Sequence, residues 1–339
     1  MRAVVLPGAH QTLEYREDHP AAGTGCEGGE IIDVTACGVC HSDIHVVDGD
    51  FPSPLPMVLG HEVTGVHPEL GPVMVYAPWG CRNCQQCHDG EEMICANATE
   101  AGIFPNGGYS EQMWVKDRRY LAPLGDLDPV DVAPLACGGL TAYRAVRHGL
   151  DILHRAGERG RALVIGAGGL GQYAISYLRL MSDATVIALD LAEDKRSQAL
   201  TVGAHEAVGH GDDVGPCDVV LDFIGADATL ATATAAVGRK GTVIVIGLAG
   251  GTVPFGLTSV PPEARFMSSF WGTRNEMDDL LDLARREPSI VRPVERLPLE
   301  QAQTAHDRLR AGRFTSRLVL VPSFSHHPPA NDQQVTTCP

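Results

Sequence analysis

Between residues 139 and 269 the chain alternates continuous apolar runs with mixed segments of helical character. Ala162-Leu163-Val164-Ile165, Thr185-Val186-Ile187-Ala188-Leu189, Asp218-Val219-Val220-Leu221 and Thr242-Val243-Ile244-Val245-Ile246 are the runs. A strand that is apolar at successive positions is covered on both faces, which requires parallel strands with helices above and below. The intervening segments predict helices from Gly171 to Met181 and up to Val202. This region therefore reads as α/β, a doubly wound parallel sheet. Residues 1–138 have another texture, rich in Gly, Pro and Cys, with short runs such as Glu30-Ile31-Ile32-Asp33-Val34. They predict short strands and loops, a β-rich, barrel-like domain. Residues 270–322 return to that mixed texture and are expected to rejoin the first domain. Residues 323–339 form a polar tail expected to be disordered, with His326, His327 and Cys338 in it.

Composition narrows the class of function. A chain of 339 residues is long for one core and suits two. Its 44% hydrophobic and 20% charged residues are those of an ordinary globular protein. No apolar run is long enough for a membrane helix, and the first residues lack a secretory leader, so a cytoplasmic protein is expected. A net charge of −16 opposes binding to nucleic acid or anionic membranes, which take a basic footprint.

The run ending at Ile165 passes into Gly166-Ala167-Gly168-Gly169-Leu170-Gly171. A G-x-G-x-x-G pattern alone is weak, but here a strand precedes it and a helix follows. The next apolar run ends at Asp190, 19 residues after Gly171, the spacing of an acid that binds an adenosine ribose. Gly166 permits the tight turn, Gly168 lets backbone amides approach a pyrophosphate, and Gly171 lets the helix pack close to the sheet. These features make the region a Rossmann dinucleotide fold. Asp190 would repel a 2′-phosphate, so NAD(H) is expected over NADP(H).

Cys81, Cys84, Cys87 and Cys95 form a C-x2-C-x2-C-x7-C cluster within 15 residues. Gly80, Arg82, Asn83, Gln85, Gln86, His88, Asp89 and Gly90 interleave them, so the segment is too polar to be core. Four thiolates in a turn-rich knuckle suit a closed, structural zinc site in a lobe over residues 78–98. A pair of disulfides is disfavoured in a chain that does not look secreted. An iron–sulfur cluster uses similar spacings, and counting alone leaves it open.

Three further motifs stand in order along the chain: Gly38-Val39-Cys40-His41-Ser42-Asp43-Ile44-His45, then Gly60-His61-Glu62, then Leu135-Ala136-Cys137-Gly138-Gly139. Taken singly, Cys137 reads as a small core residue and His61 as a bonded core histidine. Together with the cysteine lobe and the nucleotide fingerprint, the chain resembles the zinc-dependent medium-chain alcohol dehydrogenases to about Val321. Tyr76-Ala77-Pro78-Trp79-Gly80-Cys81, Gly125-Asp126-Leu127-Asp128-Pro129 and Phe270-Trp271-Gly272-Thr273-Arg274 are similar to bacterial secondary-alcohol members.

The resemblance implies a GroES-like catalytic domain (1–138 and 270–322) and a Rossmann NAD-binding domain (139–269). It implies two zinc ions per chain: a catalytic one on Cys40, His61 and Cys137, with an open fourth position, and a structural one on the lobe cysteines. Glu62 corresponds to a glutamate that can approach the metal, and Asp43 to the carboxylate that orients a ligand histidine. Cys37, in C-x-x-C with Cys40, is expected to pack rather than ligate. Ser42 and His45 match a proton relay, with His45 nearest to solvent. His41 and Arg317 are expected on the pyrophosphate, Thr141 at the nicotinamide and Lys195 near the ribose. Phe51, Tyr76, Phe270 and Trp271 are expected around the substrate, although Tyr76 suits ordinary core as well.

The reaction implied is hydride transfer between an alcohol and NAD+, or between NADH and an aldehyde or ketone, in a homodimer or homotetramer. Reduction of an imine or iminium on the same scaffold is the alternative, and a zinc redox sensor a weaker one. One departure from the family is visible. Between Glu62 and Cys81 the chain is shortened and lacks the customary Gly-Asp turn, so one loop or strand of the barrel is expected to be trimmed.

Overall fold

The computed structural model describes residues 1–314 and 316–322, and the tail at 323–339 lies outside them. The chain divides into two units, Met1–Cys137 with the segment from Thr273 onward, and Gly138–Gly272. Phe270 and Trp271 accordingly fall in the second unit.

In the second unit six strands form one parallel sheet. Their spatial order is Glu206–Val208, Thr185–Leu189, Arg161–Ile165, Cys217–Asp222, Val237–Val245 and Arg265–Ser268. Helices Gly138–Ala156, Gly169–Met181, Glu193–Thr201 and Asp227–Ala236 pack on these strands. That explains the unbroken apolar runs: Leu163, Ile165, Ile187, Val220 and Val243 are buried in one core cluster. Burying each such side chain contributes roughly 1.5–3 kcal/mol before entropy is subtracted. The strand predicted at 242–246 begins earlier, at Val237, because Lys240 adopts a left-handed φ of 63° and lets the chain turn inside it.

In the first unit a largely antiparallel sheet runs Leu121–Pro123, Gly71–Val75, Glu62–His67, Glu30–Gly38, Arg317–Val321 and Val294–Pro298 in space. Gln112–Val115 pairs with the other end of Glu30–Gly38. The strand Arg317–Val321 lies beside Glu30–Gly38, with Val319 opposite Gly38 and Leu320 opposite Cys37. The returning segment is thus part of the sheet that carries the Gly38–His45 motif.

The shortened stretch after Glu62 is a tight hairpin, with Glu62–His67 paired to Gly71–Val75 and His67 opposite Gly71. His67 closes it. Its Nδ1 accepts from the Glu69 and Leu70 N–H groups, each at 3.2 Å, and its Nε2 lies 2.9 Å from Glu30 Oε2. A buried imidazole therefore does the work of a longer turn, satisfying two backbone donors that no strand partner reaches.

Candidate active site

Cys40 follows the strand Glu30–Gly38 and caps the helix His41–Val47. Asp43, in the first turn of that helix, accepts the Cys40 N–H through Oδ2 at 2.9 Å. Its other oxygen, Oδ1, lies 3.1 Å from His61 Nδ1. His61 immediately precedes the strand Glu62–His67, and Cys137 follows the short turn Ala133–Ala136. Three distant segments thus deliver Cys40, His61, Glu62 and Cys137 to one point, all buried, with donor atoms within 4.8 Å of one another.

The electrostatics of this cluster favour a cation. The bond from Cys137, with support from His61, holds the Cys40 thiol well below its usual range despite burial. Burial works against a charged His61, yet Asp43 and Cys40 outweigh it and hold the imidazole well above its ordinary value. A buried site that stabilises a thiolate and attracts a proton suits a metal ion that takes the proton's place. Two sulfurs and an imidazole are a zinc donor set, and a trio of protein ligands leaves a fourth position open. Cys37 stands outside the set; burial pushes its thiol well up, as for an inert packed cysteine.

Glu62 is fully buried, and Arg317 Nη2 lies 2.5 Å from both of its carboxylate oxygens. Burial lifts the Glu62 carboxyl to about 7, with the Arg317 charge pulling the other way. Arg317, expected on the pyrophosphate, thus has its guanidinium on Glu62. Ser42 Oγ lies 3.9 Å from Cys40 Sγ. His45 is partly exposed, with Nδ1 2.7 Å from Asp50 Oδ2 and its ring edge-on to Phe51 at 5.9 Å. His41 is exposed. Tyr76 is fully buried and stacked on Tyr120 at 6.3 Å, and Trp79 stacks on the same Tyr120 ring.

The lobe holds Cys81, Cys84, Cys87 and Cys95 with all four sulfurs within 4.8 Å of one another. All are free thiols, and Cys84 Sγ lies 3.6 Å from Cys87 Sγ, well beyond a disulfide bond. One tetrahedral ion at a Zn–S distance of about 2.3 Å sets its sulfurs about 3.8 Å apart, whereas a multi-iron cluster spreads them wider. Backbone donors already aim inward: Cys95 Sγ accepts from the Asn97 and Cys81 N–H groups at 3.3 and 3.5 Å. The Asn83 N–H holds the Cys81 thiol down to about 6. The donor set fits one ion.

In the second unit, Gly166 takes a φ of 87° and Gly168 caps the helix Gly169–Met181. A Cβ built on Gly168 would meet nothing within 4 Å, so the mouth of the turn stands open to a phosphate. Asp190 is tied to this turn, its Oδ2 accepting the Ala167 N–H at 2.9 Å and its Oδ1 the Ala192 N–H at 2.9 Å. Lys195 sits half-buried on the helix Glu193–Thr201. Thr141 is buried near the start of Gly138–Ala156. Phe270 is exposed and lies edge-on to Trp271, which is buried and holds a left-handed φ of 48°, rare for a bulky residue.

Two contributors escaped sequence reasoning. Arg196 donates to the carbonyls of Asp190 and Leu191 at 2.9 and 2.8 Å, fixing the loop that presents Asp190. Tyr109 donates to Asp43 Oδ2 at 2.8 Å. The Gly107-Gly108 pair before Tyr109 is a signal of close backbone approach that could have drawn attention to it.

A family model described as "Alcohol dehydrogenase GroES-like domain" matches residues 27–126, and one described as "Zinc-binding dehydrogenase" matches residues 169–286. The chain is 32% identical to an alcohol dehydrogenase of Geobacillus stearothermophilus, over 94% of this chain and 98% of that one. It is 30% identical to a D-arabinose 1-dehydrogenase (NADP(+)) of Saccharolobus solfataricus, over 87% and 91%. Among solved structures, acetophenone reductase from Geotrichum candidum in complex with NAD superposes with a TM-score of 0.81. It has 29% identity, over 94% of this chain and 96% of that one.

Proposed function

The chain belongs to the zinc-dependent medium-chain alcohol dehydrogenases, and we propose that within this family it is an NAD(H)-preferring enzyme with two zinc sites per chain. The observation that carries the proposal is the buried convergence of Cys40, His61 and Cys137, with Glu62 beside them. The four lobe thiols support the second, structural ion.

When bound, zinc supplies a Lewis acid that lowers the pKa of an alcohol, and NAD+ supplies the hydride acceptor. The chain's own residues do the rest. Cys40, His61 and Cys137 would hold the ion, and three protein ligands would leave one position for a substrate oxygen. Asp43 keeps the His61 Nδ1–H facing itself, so that Nε2 is the ligand atom. Ser42 stands beside the cluster, where its hydroxyl would accept the alcohol's proton while releasing its own onward toward His45. His45 passes that proton to water: Nδ1–H donates to Asp50, leaving Nε2 basic, and the ring is partly exposed. Glu62, held by Arg317 beside the three ligand side chains, would place a fourth, carboxylate donor next to a bound ion.

NAD(H) preference is supported by Asp190, which the Ala167 and Ala192 amides and the Arg196 clamp fix at the open turn. Lys195 on the next helix is read as a ribose contact and Thr141 as a nicotinamide contact. For the substrate, the Phe51 ring set edge-on against His45 favours medium-sized apolar or aryl alcohols and their ketones. The stacking of Tyr76 on Tyr120 supports packing for that residue. The acetophenone reductase relative points to the same aryl class.

Self-association as a homodimer or homotetramer is supported by the edge strand Arg265–Ser268, whose Met267 is exposed and whose Phe266 meets the exposed Phe255 edge-on. Among the described residues no helix is long and apolar enough to cross a membrane. Cys37 and Cys217 are buried free thiols whereas Cys26 is disulfide-bonded, so a cytoplasmic setting rests on the sequence and not on the cysteines. The test is a nicotinamide-absorbance screen of primary, secondary and aryl alcohols, ketones and cyclic imines with both cofactors. Turnover confined to imines, or absent with every alcohol, would contradict the proposal.

A further inference from the structure

Behind the His61 ligand lies a chain of buried polar groups that extends past Asp43. The Tyr109 hydroxyl donates to Asp43 Oδ2 at 2.8 Å, and His306 Nε2 lies 3.2 Å from the same hydroxyl. The two rings meet edge-on at 5.8 Å. Asp43, His61, Tyr109 and His306 are all buried. A polar group taken out of water costs free energy unless it is paired, so placing a tyrosine and a histidine here is expensive unless they serve one another.

The direction of each bond follows from proton counting. Asp43 as a carboxylate only accepts, so the single Tyr109 proton points at it. The Tyr109 oxygen can then only accept from His306, which must carry its proton on Nε2. Burial lowers the His306 pKa, as suits a neutral ring with one N–H to give. The order is His306 Nε2–H to Tyr109, Tyr109 O–H to Asp43 Oδ2, with His61 Nδ1 facing Asp43 Oδ1 at 3.1 Å. Asp43 thereby divides its oxygens: Oδ2 is held by the Cys40 N–H and Tyr109, and Oδ1 is left to His61.

The backbone is built to keep Tyr109 there. Its N–H donates to Leu59 O at 2.9 Å, and its carbonyl accepts from the Val4 N–H at 2.7 Å. Gly60, the residue before His61, has a φ of 98°, and a Cβ on it would run into the Tyr109 ring. The ring thus presses directly on the backbone that presents the ligand. His306 comes from the helix Ala302–Arg310, 197 positions away along the chain.

We propose that Tyr109 and His306 are positioning residues for the catalytic metal, fixing Asp43 so that His61 presents its ligand nitrogen in one orientation. This rests on the reading of Cys40, His61 and Cys137 as a zinc site. Groups that orient a metal ligand are worth about 10–100-fold in metal affinity when removed, even though they never touch the ion.

The experiment is chelator competition on the full-length, zinc-loaded protein, reading the affinity of each ion with secondary structure and the lobe zinc as controls. Tyr109→Phe, which keeps the ring, and His306→Leu should each weaken the catalytic ion by about tenfold or more and leave the lobe ion unchanged. His306→Gln, whose amide can still donate to Tyr109, should restore most of the loss, which a merely space-filling role would not produce. Wild-type affinity in Tyr109→Phe and His306→Leu overturns the proposal. So does equal loss in His306→Leu and His306→Gln, a comparison that decides the matter even if Tyr109→Phe fails to fold. Cys137→Ala separates the two levels: if it keeps both ions, the ligand reading has failed and the proposal with it. If it loses one ion while the other variants bind zinc normally, only the positioning chain is rejected.

Discussion

Arg317 Nη2 lies 2.5 Å from each carboxylate oxygen of Glu62, in a pocket of the first unit where Glu62 itself is fully buried. Even with this partner, burial dominates and the carboxyl stands at about 7 instead of 4.5. A carboxyl raised in the folded state contributes stability fully below its unfolded pKa, and loses it as pH rises through about 7. In the metal-free protein the loss between pH 4.5 and 7 is on the order of 3 kcal/mol as an upper bound. Denaturant unfolding of metal-stripped protein should therefore show stability falling across that window, and Glu62→Gln should flatten the fall. A wild-type slope in Glu62→Gln would place the titration elsewhere.

Asp190 is the basis for cofactor choice, and its two oxygens are also structural, each holding a backbone N–H. Asp190→Asn keeps one acceptor and removes the charge. It should raise kcat/KM with NADPH relative to NADH by about tenfold, a gain of ~1.4 kcal/mol in relative transition-state stabilisation. A native enzyme already faster with NADPH at low concentration would show that Asp190 does not exclude the 2′-phosphate.

Trp271 is buried at a left-handed φ beside Phe270. If it borders the substrate, Trp271→Ala should change the ranking of alcohols by size, by up to roughly 0.8 kcal/mol for each methylene the pocket no longer covers. Kinetics over a homologous series of secondary and aryl alcohols measure this. An unchanged ranking with a lowered melting temperature would make Trp271 ordinary core.

Local features were legible from residue order alone, because their physics is local. The lobe cysteines lie within one short segment, and the glycine turn has its strand before it and its helix after it. The parallel strands declared themselves because both faces are covered, which leaves no polar alternation. Cys40, His61 and Cys137 are different. Each sits in apolar company, and only the match to a family's motif order singled them out. The His67 cap of the shortened hairpin carried no signal, since a lone histidine before Pro-Glu-Leu-Gly looks like a loop residue. Nor did the Tyr109–His306 contact, which joins residues 197 positions apart. Arg317 shows the remaining difficulty: its position was noticed, but a partner as buried as Glu62 emerges only when the last strand pairs with Glu30–Gly38.

The central claim is that two clusters in one chain hold two zinc ions of different purpose. Elemental analysis of purified wild type, Cys137→Ala and Cys95→Ser, paired with melting temperature and alcohol oxidation, tests it most directly. The wild type should carry two zinc ions per chain. Cys137→Ala should carry one, stay folded and lose turnover. Cys95→Ser should lose yield and melt earlier, because a structural zinc is folding free energy. One ion in the wild type, iron with sulfide, or full activity in Cys137→Ala would contradict the account.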